Sequence, residues 1–476
     1  VLINEGGNMG MTREKIRVRI SQMTLEDNAA MCSGADVWHA EAVARLGIPA
    51  SMVSDGPHGL RKQDLEGDHI GVNESIKAVC FPAGCATAAS FNRELLTEMG
   101  AALGNECQAE GVSVILGPAV NIKRSPLCGR NFEYYSEDPL VASETAGALI
   151  KGVQSKNVVT SIKHFLANNQ ETRRMSCDSR VDERTMREIY LAAFEGPVKK
   201  QNPWTVMCSY NKINGVYAAE NHKYLTEVLR DEWGFDGYVM SDWGAVNNRV
   251  EDLKAGLDLE MPTSHGVNDK LIVGAVQSGN LDESDLDEAV ERILNIVFRF
   301  EENRDKEAVW DKDEDHELAR RVAEETIVLL KNEDILHLQD TDNLAFIGKY
   351  AMEPRYQGGG SSHINSHKIT SAMDIVSGRY NIVYAQGYRD DIDETDEKLL
   401  KEAIEAAKTA KAAVIFAGLP DAFESEGFDR THMSMPACQN ELIEKITEVQ
   451  PNTVVVLHNG SPVEMPWADK VKGIVE

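Results

Sequence analysis

Asp55, Arg61, Arg130, Lys163, His164, Arg174, Tyr210, Asp242 and Trp243 are residues whose types and placement suggest chemistry. Several close a short apolar run, as Asp55 does in SMVSD and Asp242 in YVMSD. Two acids, a set of cations and aromatic rings together suit recognition of a polyhydroxylated ring, and cleavage of a glycoside runs on two carboxyl groups. Competing chemistries lack their signatures. There is no HxH, HExxH or cysteine–histidine cluster, no GxSxG and no P-loop, so neither a metal nor a cofactor is expected. Each residue also has a plainer reading by itself. A strand-end aspartate caps helices or pairs with a cation, Lys163 and His164 suit a buried satisfied pair, and Trp243 suits a core. Lys163 would equally serve as a Schiff-base nucleophile.

The elements that must position these side chains recur from about residue 48 to 262. Apolar runs at 48–55, 112–121, 157–165, 203–211, 237–243 and 256–262 alternate with helical stretches such as 94–111, 185–200 and 223–234. Continuous apolar strands separated by helices predict a parallel sheet covered on both faces. Every run ends on a polar group: Asp55, Asn121, Lys163 with His164, Tyr210 with Asn211, Asp242 and Glu260. A barrel gathers all such ends at one mouth, whereas a doubly wound sheet gathers two or three. The fold predicted is an α/β chain: a (β/α)8-type barrel over residues 14–300, then a three-layer α/β/α sandwich over 321–476.

Residues 1–13 read as a leader or an expression remnant, 301–320 as a solvated linker, and 319–330 as the helix that follows it. Strands are expected at 343–351, 380–387, 411–418, 452–460 and 472–476, the last of which reads as cut short. Two loops of this domain stand out. DAFESEGFDR (421–430) is acidic and follows a strand; YQGGGSSHIN (356–365) reads as a close-approach turn.

Lys and Arg number 49 against 77 Asp and Glu, a net charge of −28, which excludes nucleic acid and an anionic membrane as partners. The eight cysteines are scattered with no CxxC, and no apolar leader precedes the first domain, so a cytoplasmic protein is expected. A homo-oligomer is compatible with the sequence.

Eight stretches, in order, resemble glycoside hydrolase family 3 and within it the β-glucosidases: SDGPHGLR (54–61), GRNFEYYSEDP (129–139), KHFLANNQETRR (163–174), VMCSYNKING (206–215), GFDGYVMSDWGA (234–245), AGLDLEMP (255–262), ETIVLLKNE (325–333) and ESEGFDRTHMSMP (424–436). The resemblance covers residues 14–476. It implies a retaining, exo-acting β-glucosidase that takes terminal β-D-glucosyl residues from a β-glucoside or short gluco-oligosaccharide through a covalent intermediate. Asp242 matches the nucleophile and Glu426 the acid/base, with Glu424 as its competitor. The implied sugar-binding positions are Asp55, Arg61, Arg130, Lys163, His164, Arg174, Tyr210 and Trp243. On this reading nearby cations hold Asp242 ionised, and the surroundings of Glu426 raise its proton affinity toward working pH.

Two departures are visible. Members of the family commonly continue beyond the point matching Glu476, through the rest of the sheet and into a fibronectin-like module. Residues 163–171 read KHFLANNQE, where the histidine-dependent N-acetylglucosaminidases carry a KHFPGHG-like loop. A β-xylosidase or broad β-glycosidase is the alternative within the family. A Schiff-base aldolase on Lys163 and a non-catalytic sugar-binding protein are the alternatives outside that activity.

Overall fold

The computed structural model describes residues 11–63, 74–339 and 343–476. Its first domain is built on six strands: β1 (His39–Ala40), β2 (Ser51–Asp55), β3 (Val114–Leu116), β4 (Val159–Phe165), β5 (Thr205–Cys208) and β6 (Tyr238–Met240). β1 runs antiparallel to β2, and β2 through β6 are parallel neighbours in chain order. Single-residue bridges close the ring: Met240 with Leu259, Glu260 with Ser33, and Gly34 with Ala40. The run at 256–262 therefore contributes bridges rather than a full strand, and the two-residue β1 enters where no strand was expected. The result is an irregular, barrel-like ring.

All seven residues of β4 are buried, as a strand covered on both faces requires. Two of the covering helices, Arg93–Glu110 and Pro139–Gln154, meet through glycines. A Cβ at Gly100 would lie 2.5 Å from the Leu149 carbonyl oxygen, and one at Gly152 only 2.2 Å from that of Thr97. Asn92 and Asp138 cap these helices by accepting backbone N–H bonds, and Pro139 occupies the first turn of the second.

Residues 1–10 of the segment read as a leader lie outside the described residues. Thr12 caps a helix, Arg13–Ile20, that packs on helix Glu283–Glu302, so residues 11–13 sit with the first domain. The stretch read as a linker is largely helical. Glu283–Glu302 runs two residues past the expected end, and Lys312–Thr326 begins within it, capped by Asp311. The latter helix buries Leu318, Ala319 and Val322 against the barrel helices. It stops at Thr326, so residues 327–330 are not helical; Leu329–Asn332 instead forms β7.

The second domain has one six-stranded sheet: β7, β8 (Asn343–Ile347), β9 (Asn381–Ala385), β10 (Ala412–Gly418), β11 (Thr453–His458) and β12 (Gly473–Val475). Their spatial order is β7-β12-β11-β10-β8-β9, all parallel except β7. Helices Glu397–Thr409 and Ala437–Val449 pack side by side, burying Leu400, Ala403, Leu442 and Ile443 in the core beside Ile347 and Ile415. These five parallel strands coincide with the apolar runs expected at 343–476.

One buried acid offers a test of stability. Asp252, on helix Arg249–Ala255, is fully buried, and both carboxyl oxygens lack a hydrogen-bond partner among the described residues. Burial pushes its pKa up to about 8, with Arg249 opposing and Glu220 and Glu260 reinforcing the shift. A carboxyl raised from an ordinary 3.8 stabilises the fold below that pH, and the contribution is lost as pH rises through about 8. Asp252→Asn removes that loss. Thermal melting at pH 8 should show the variant more stable than the parent by about 2 kcal/mol or more, and the difference should vanish near pH 4. A variant that melts at or below the parent temperature at pH 8 contradicts this.

Candidate active site

The barrel mouth collects the ends of β2, β4 and β6. Asp55 closes β2, and its Oδ2 accepts from Arg61 Nη1 at 3.2 Å. Lys163 reaches Asp55 Oδ1 at 3.6 Å and Glu133 Oε1 at 3.8 Å, while Arg130 and Glu133 form an ion pair at 2.7 Å. Burial raises the pKa of Asp55, and Lys163 and Arg61 oppose the rise. Asn121 braces His164: its Oδ1 accepts the His164 backbone N–H at 2.8 Å and lies 3.1 Å from Nδ1. The backbone donor fixes that amide atom as an oxygen, so Nδ1 carries the ring proton and Nε2 faces Asp242 Oδ2 at 3.8 Å. Burial, then the charges of Arg130, Lys163 and Arg174, holds this imidazole neutral.

Asp242 lies two residues past the end of β6, after Ser241. Its Oδ1 accepts the Trp243 backbone N–H at 2.8 Å, and its buried Oδ2 has no hydrogen-bond partner among the described residues. One oxygen is thus anchored and the other left open. Burial raises the pKa of Asp242, against the pull of Arg174, Arg130 and Lys163. The cations expected to favour the ionised form do act on this carboxyl, and desolvation works against them. Tyr210 donates its hydroxyl to the Trp243 carbonyl at 3.2 Å and lies beneath the Arg174 guanidinium, 4.6 Å from ring centroid to Cζ. The Trp243 indole is 5.3 Å from that of Trp38 and donates to the Val37 carbonyl, so its plane is fixed by packing.

The 421–430 loop of the second domain enters this mouth. Asp429 clamps it, accepting the backbone N–H groups of Gly129 (3.1 Å), Glu171 (2.9 Å) and Thr172 (2.8 Å). Gly129 permits the approach, since a Cβ there would meet the Phe428 carbonyl oxygen at 1.8 Å. Glu426 Oε1 lies 2.7 Å from Arg174 Nη1 and 3.6 Å from Arg130 Nη1. Its Oε2 accepts the backbone N–H and hydroxyl of Ser361, at 2.8 and 2.5 Å. Burial alone would raise its pKa, but Arg130, Arg174 and Ser361 together hold it well below the usual carboxylate range. That reverses the expectation of a raised proton affinity: the Glu426 carboxylate is gripped by two guanidinium groups.

Glu424 is differently placed. It is buried, bonded by Arg355 at 2.6 Å, by the Gly460 N–H and by the Ser461 hydroxyl at 2.5 Å, so both oxygens serve the second domain's own packing. The geometry brings Glu426, not Glu424, to the arginines that act on Asp242.

Glu260 is not brought to this cluster; it bonds Asn268 and faces Arg249. Sequence reasoning passed over Asn121 as a brace and missed Glu133, Glu171, Ser361 and Asp429. Glu133 and Glu171 lie inside stretches already singled out. Ser361 belongs to the glycine-rich loop, where Gly360 (φ +103°) lies so near Glu426 that a Cβ would come within 2.4 Å of the Glu426 Cβ. The close-approach reading of that loop agrees with this contact.

Residues 39–296 match the glycosyl hydrolase family 3 N terminal domain, and residues 327–476 match the C-terminal domain of the same family. The chain belongs to glycosyl hydrolase family 3. Among family 3 relatives, a thermostable β-glucosidase B of Acetivibrio thermocellus is 58% identical over 466 residues, covering 97% of this chain and 62% of the relative. An exo-α-(1→6)-L-arabinopyranosidase of Bifidobacterium longum is 47% identical over 476 residues, covering 96% and 62%. The chain thus spans 62% of the length of these two relatives. The crystal structure of a Bifidobacterium adolescentis family 3 β-glucosidase superposes with a TM-score of 0.91 at 46% identity, covering 96% of this chain and 66% of that one. β-Glucosidase 3B of Thermotoga neapolitana, in complex with α-D-glucose, gives 0.88 at 35% identity, covering 97% and 71%.

Proposed function

We propose that this family 3 protein is a retaining, exo-acting β-glucosidase that removes terminal β-D-glucosyl residues from aryl glucosides, cellobiose and short gluco-oligosaccharides. The observation that carries the reading is the docking of Glu426, from the second domain, on Arg174 (2.7 Å) and Arg130 (3.6 Å) at the barrel mouth where Asp242 Oδ2 faces His164 Nε2 at 3.8 Å. Asp242 attacks the anomeric carbon through its open Oδ2 and forms the glycosyl-enzyme. Glu426 gives a proton to the leaving oxygen, then takes one from the water that hydrolyses the intermediate. Asp55, Arg61, Lys163 and His164 receive the ring hydroxyls, Arg130, Arg174 and Tyr210 frame the bond that breaks, and Trp243 offers its indole face to the sugar. We place the protein in the cytoplasm, as free, largely buried cysteines favour. Among the described residues no helix is long and apolar enough to cross a membrane.

Hydrolysis of a panel of nitrophenyl glycosides tests the proposal. The β-glucoside should give the highest kcat/KM, and proton NMR should see β-glucose as the first product. The name of the 47%-identical relative supports a second reading, so the panel includes the α-L-arabinopyranoside alongside the β-xyloside. Preference for either pentoside by about tenfold over the glucoside would replace the glucosidase assignment, and α-glucose as first product would overturn retention.

A further inference from the structure

This inference rests on the reading of Glu426 as the proton donor. We propose that Glu171 is a positioning residue for Glu426: it divides the Arg174 guanidinium between two carboxylates, so that Glu426 is able to carry the proton it must donate.

Arg174 Nη1 lies 2.8 Å from Glu171 Oε2 and 2.7 Å from Glu426 Oε1, so one nitrogen serves both acids. The same Glu171 oxygen accepts the backbone N–H of Gly427 at 2.9 Å, the residue directly after Glu426. Glu171 is 2% exposed, and its Oε1 has no hydrogen-bond partner among the described residues. A buried carboxylate thus ties the barrel loop to the 421–430 loop.

The wider charge balance explains why such a residue is needed. Asp55, Glu133, Glu171, Asp242 and Glu426 share the site with Arg61, Arg130, Lys163 and Arg174, and with a neutral His164. Five carboxyls face four permanent cations, so a single proton makes the buried cluster neutral, and where it rests is decided by the cluster as a whole. Protonating Glu426 strands a guanidinium unless a second anion accepts it. Glu171 is placed to be that anion: burial raises its pKa, and Arg130, Arg174 and the Gly427 N–H oppose the rise. The other groups facing Glu426 do not supply it: Arg130 is itself cationic and already paired with Glu133, Ser361 donates to Glu426, and Tyr210 stays neutral. Asp429 is occupied by three backbone donors.

Glu171→Gln keeps the shape and an acceptor for the Gly427 N–H but leaves Arg174 wholly to Glu426. Glu426 then holds its charge more tightly, and the basic limb of the kcat/KM profile should move down by about one pH unit. Turnover at pH 7 should fall about tenfold or more on methyl β-glucoside, and far less on dinitrophenyl β-glucoside, whose leaving group needs no proton. Glu171→Asp, which keeps the charge, should restore the limb. Arg174→Gln should move it upward. Asp429→Ala serves as the control for simple loosening of the loop: activity falls at every pH while the limb stays in place. An unmoved limb in folded Glu171→Gln overturns the inference alone. A basic limb that persists in Glu426→Ala overturns the reading beneath it as well.

Discussion

Asp242→Asn abolishes turnover of nitrophenyl β-glucoside, by about 10⁴-fold or more in kcat, while glucose binding changes by less than about threefold. The substitution is isosteric and keeps the acceptor that Trp243 N–H uses at 2.8 Å, so the strand end should keep its shape. What disappears is the charge on Oδ2, the atom that carries no hydrogen bond among the described residues and faces His164 Nε2. An amide oxygen there attacks the anomeric carbon poorly. Stability should not suffer, because burial disfavours the ionised aspartate and a neutral amide avoids that cost. Calorimetric titration with glucose beside the kinetics separates the two effects. Loss of binding together with turnover would make Asp242 a sugar ligand or a structural acid rather than a nucleophile.

Glu426→Ala behaves differently on different leaving groups. On methyl β-glucoside or cellobiose the loss should reach about 10³-fold, since the departing alkoxide needs a proton. On dinitrophenyl β-glucoside the first step survives, the glycosyl-enzyme accumulates, and azide restores turnover by attacking it to give β-glucosyl azide. An anion succeeds there because removing Glu426 leaves Arg130 and Arg174 without the carboxylate they hold at 3.6 and 2.7 Å. Glu424→Ala should lose stability instead and show no azide rescue, because Arg355, Gly460 and Ser461 take up that carboxylate inside the second domain. Azide rescue in Glu424→Ala would exchange the two roles.

The parts of this arrangement that showed in the sequence are those in which one local property decided the outcome. A strand buried on both faces reads as an unbroken apolar run, and so β4 and the five parallel strands of the second domain were legible, along with the polar groups at their ends. Segments of one or two residues, such as Ser33–Gly34, His39–Ala40 and the bridge at Leu259, are too short to show any period. Residues 327–330 misled because IVLL prolongs the pattern of the preceding helix. In the structure the backbone turns extended at Ile327, and β7 pairs with β12, a partner more than 140 residues away.

Within the site, residue types were legible and their electrostatics were not. Glu424 and Glu426 differ by two positions in one loop, and contacts from distant segments, among them Asp429 with Gly129, Glu171 and Thr172, accompany the placing of Glu426 on Arg174. Nothing in the polar run NNQE (168–171) announces that the Glu171 carboxylate is buried. The electrostatics ran opposite to expectation at Glu426, and at Asp242 desolvation stood against the expected cations, for the same reason. They follow from desolvation at Asp242 and from two guanidinium groups and a serine at Glu426, all assembled from segments distant in the chain.

The most direct measurement is to trap the intermediate. Incubation with dinitrophenyl 2-deoxy-2-fluoro-β-glucoside slows breakdown of the glycosyl-enzyme more than its formation, so the adduct accumulates. Peptide mass spectrometry should then find a single fluoroglucosyl group, on the segment GYVMSDWGA (237–245), with fragmentation placing it on Asp242. Turnover of the parent glucoside without any adduct, or an adduct on another residue, would contradict a covalent mechanism through Asp242.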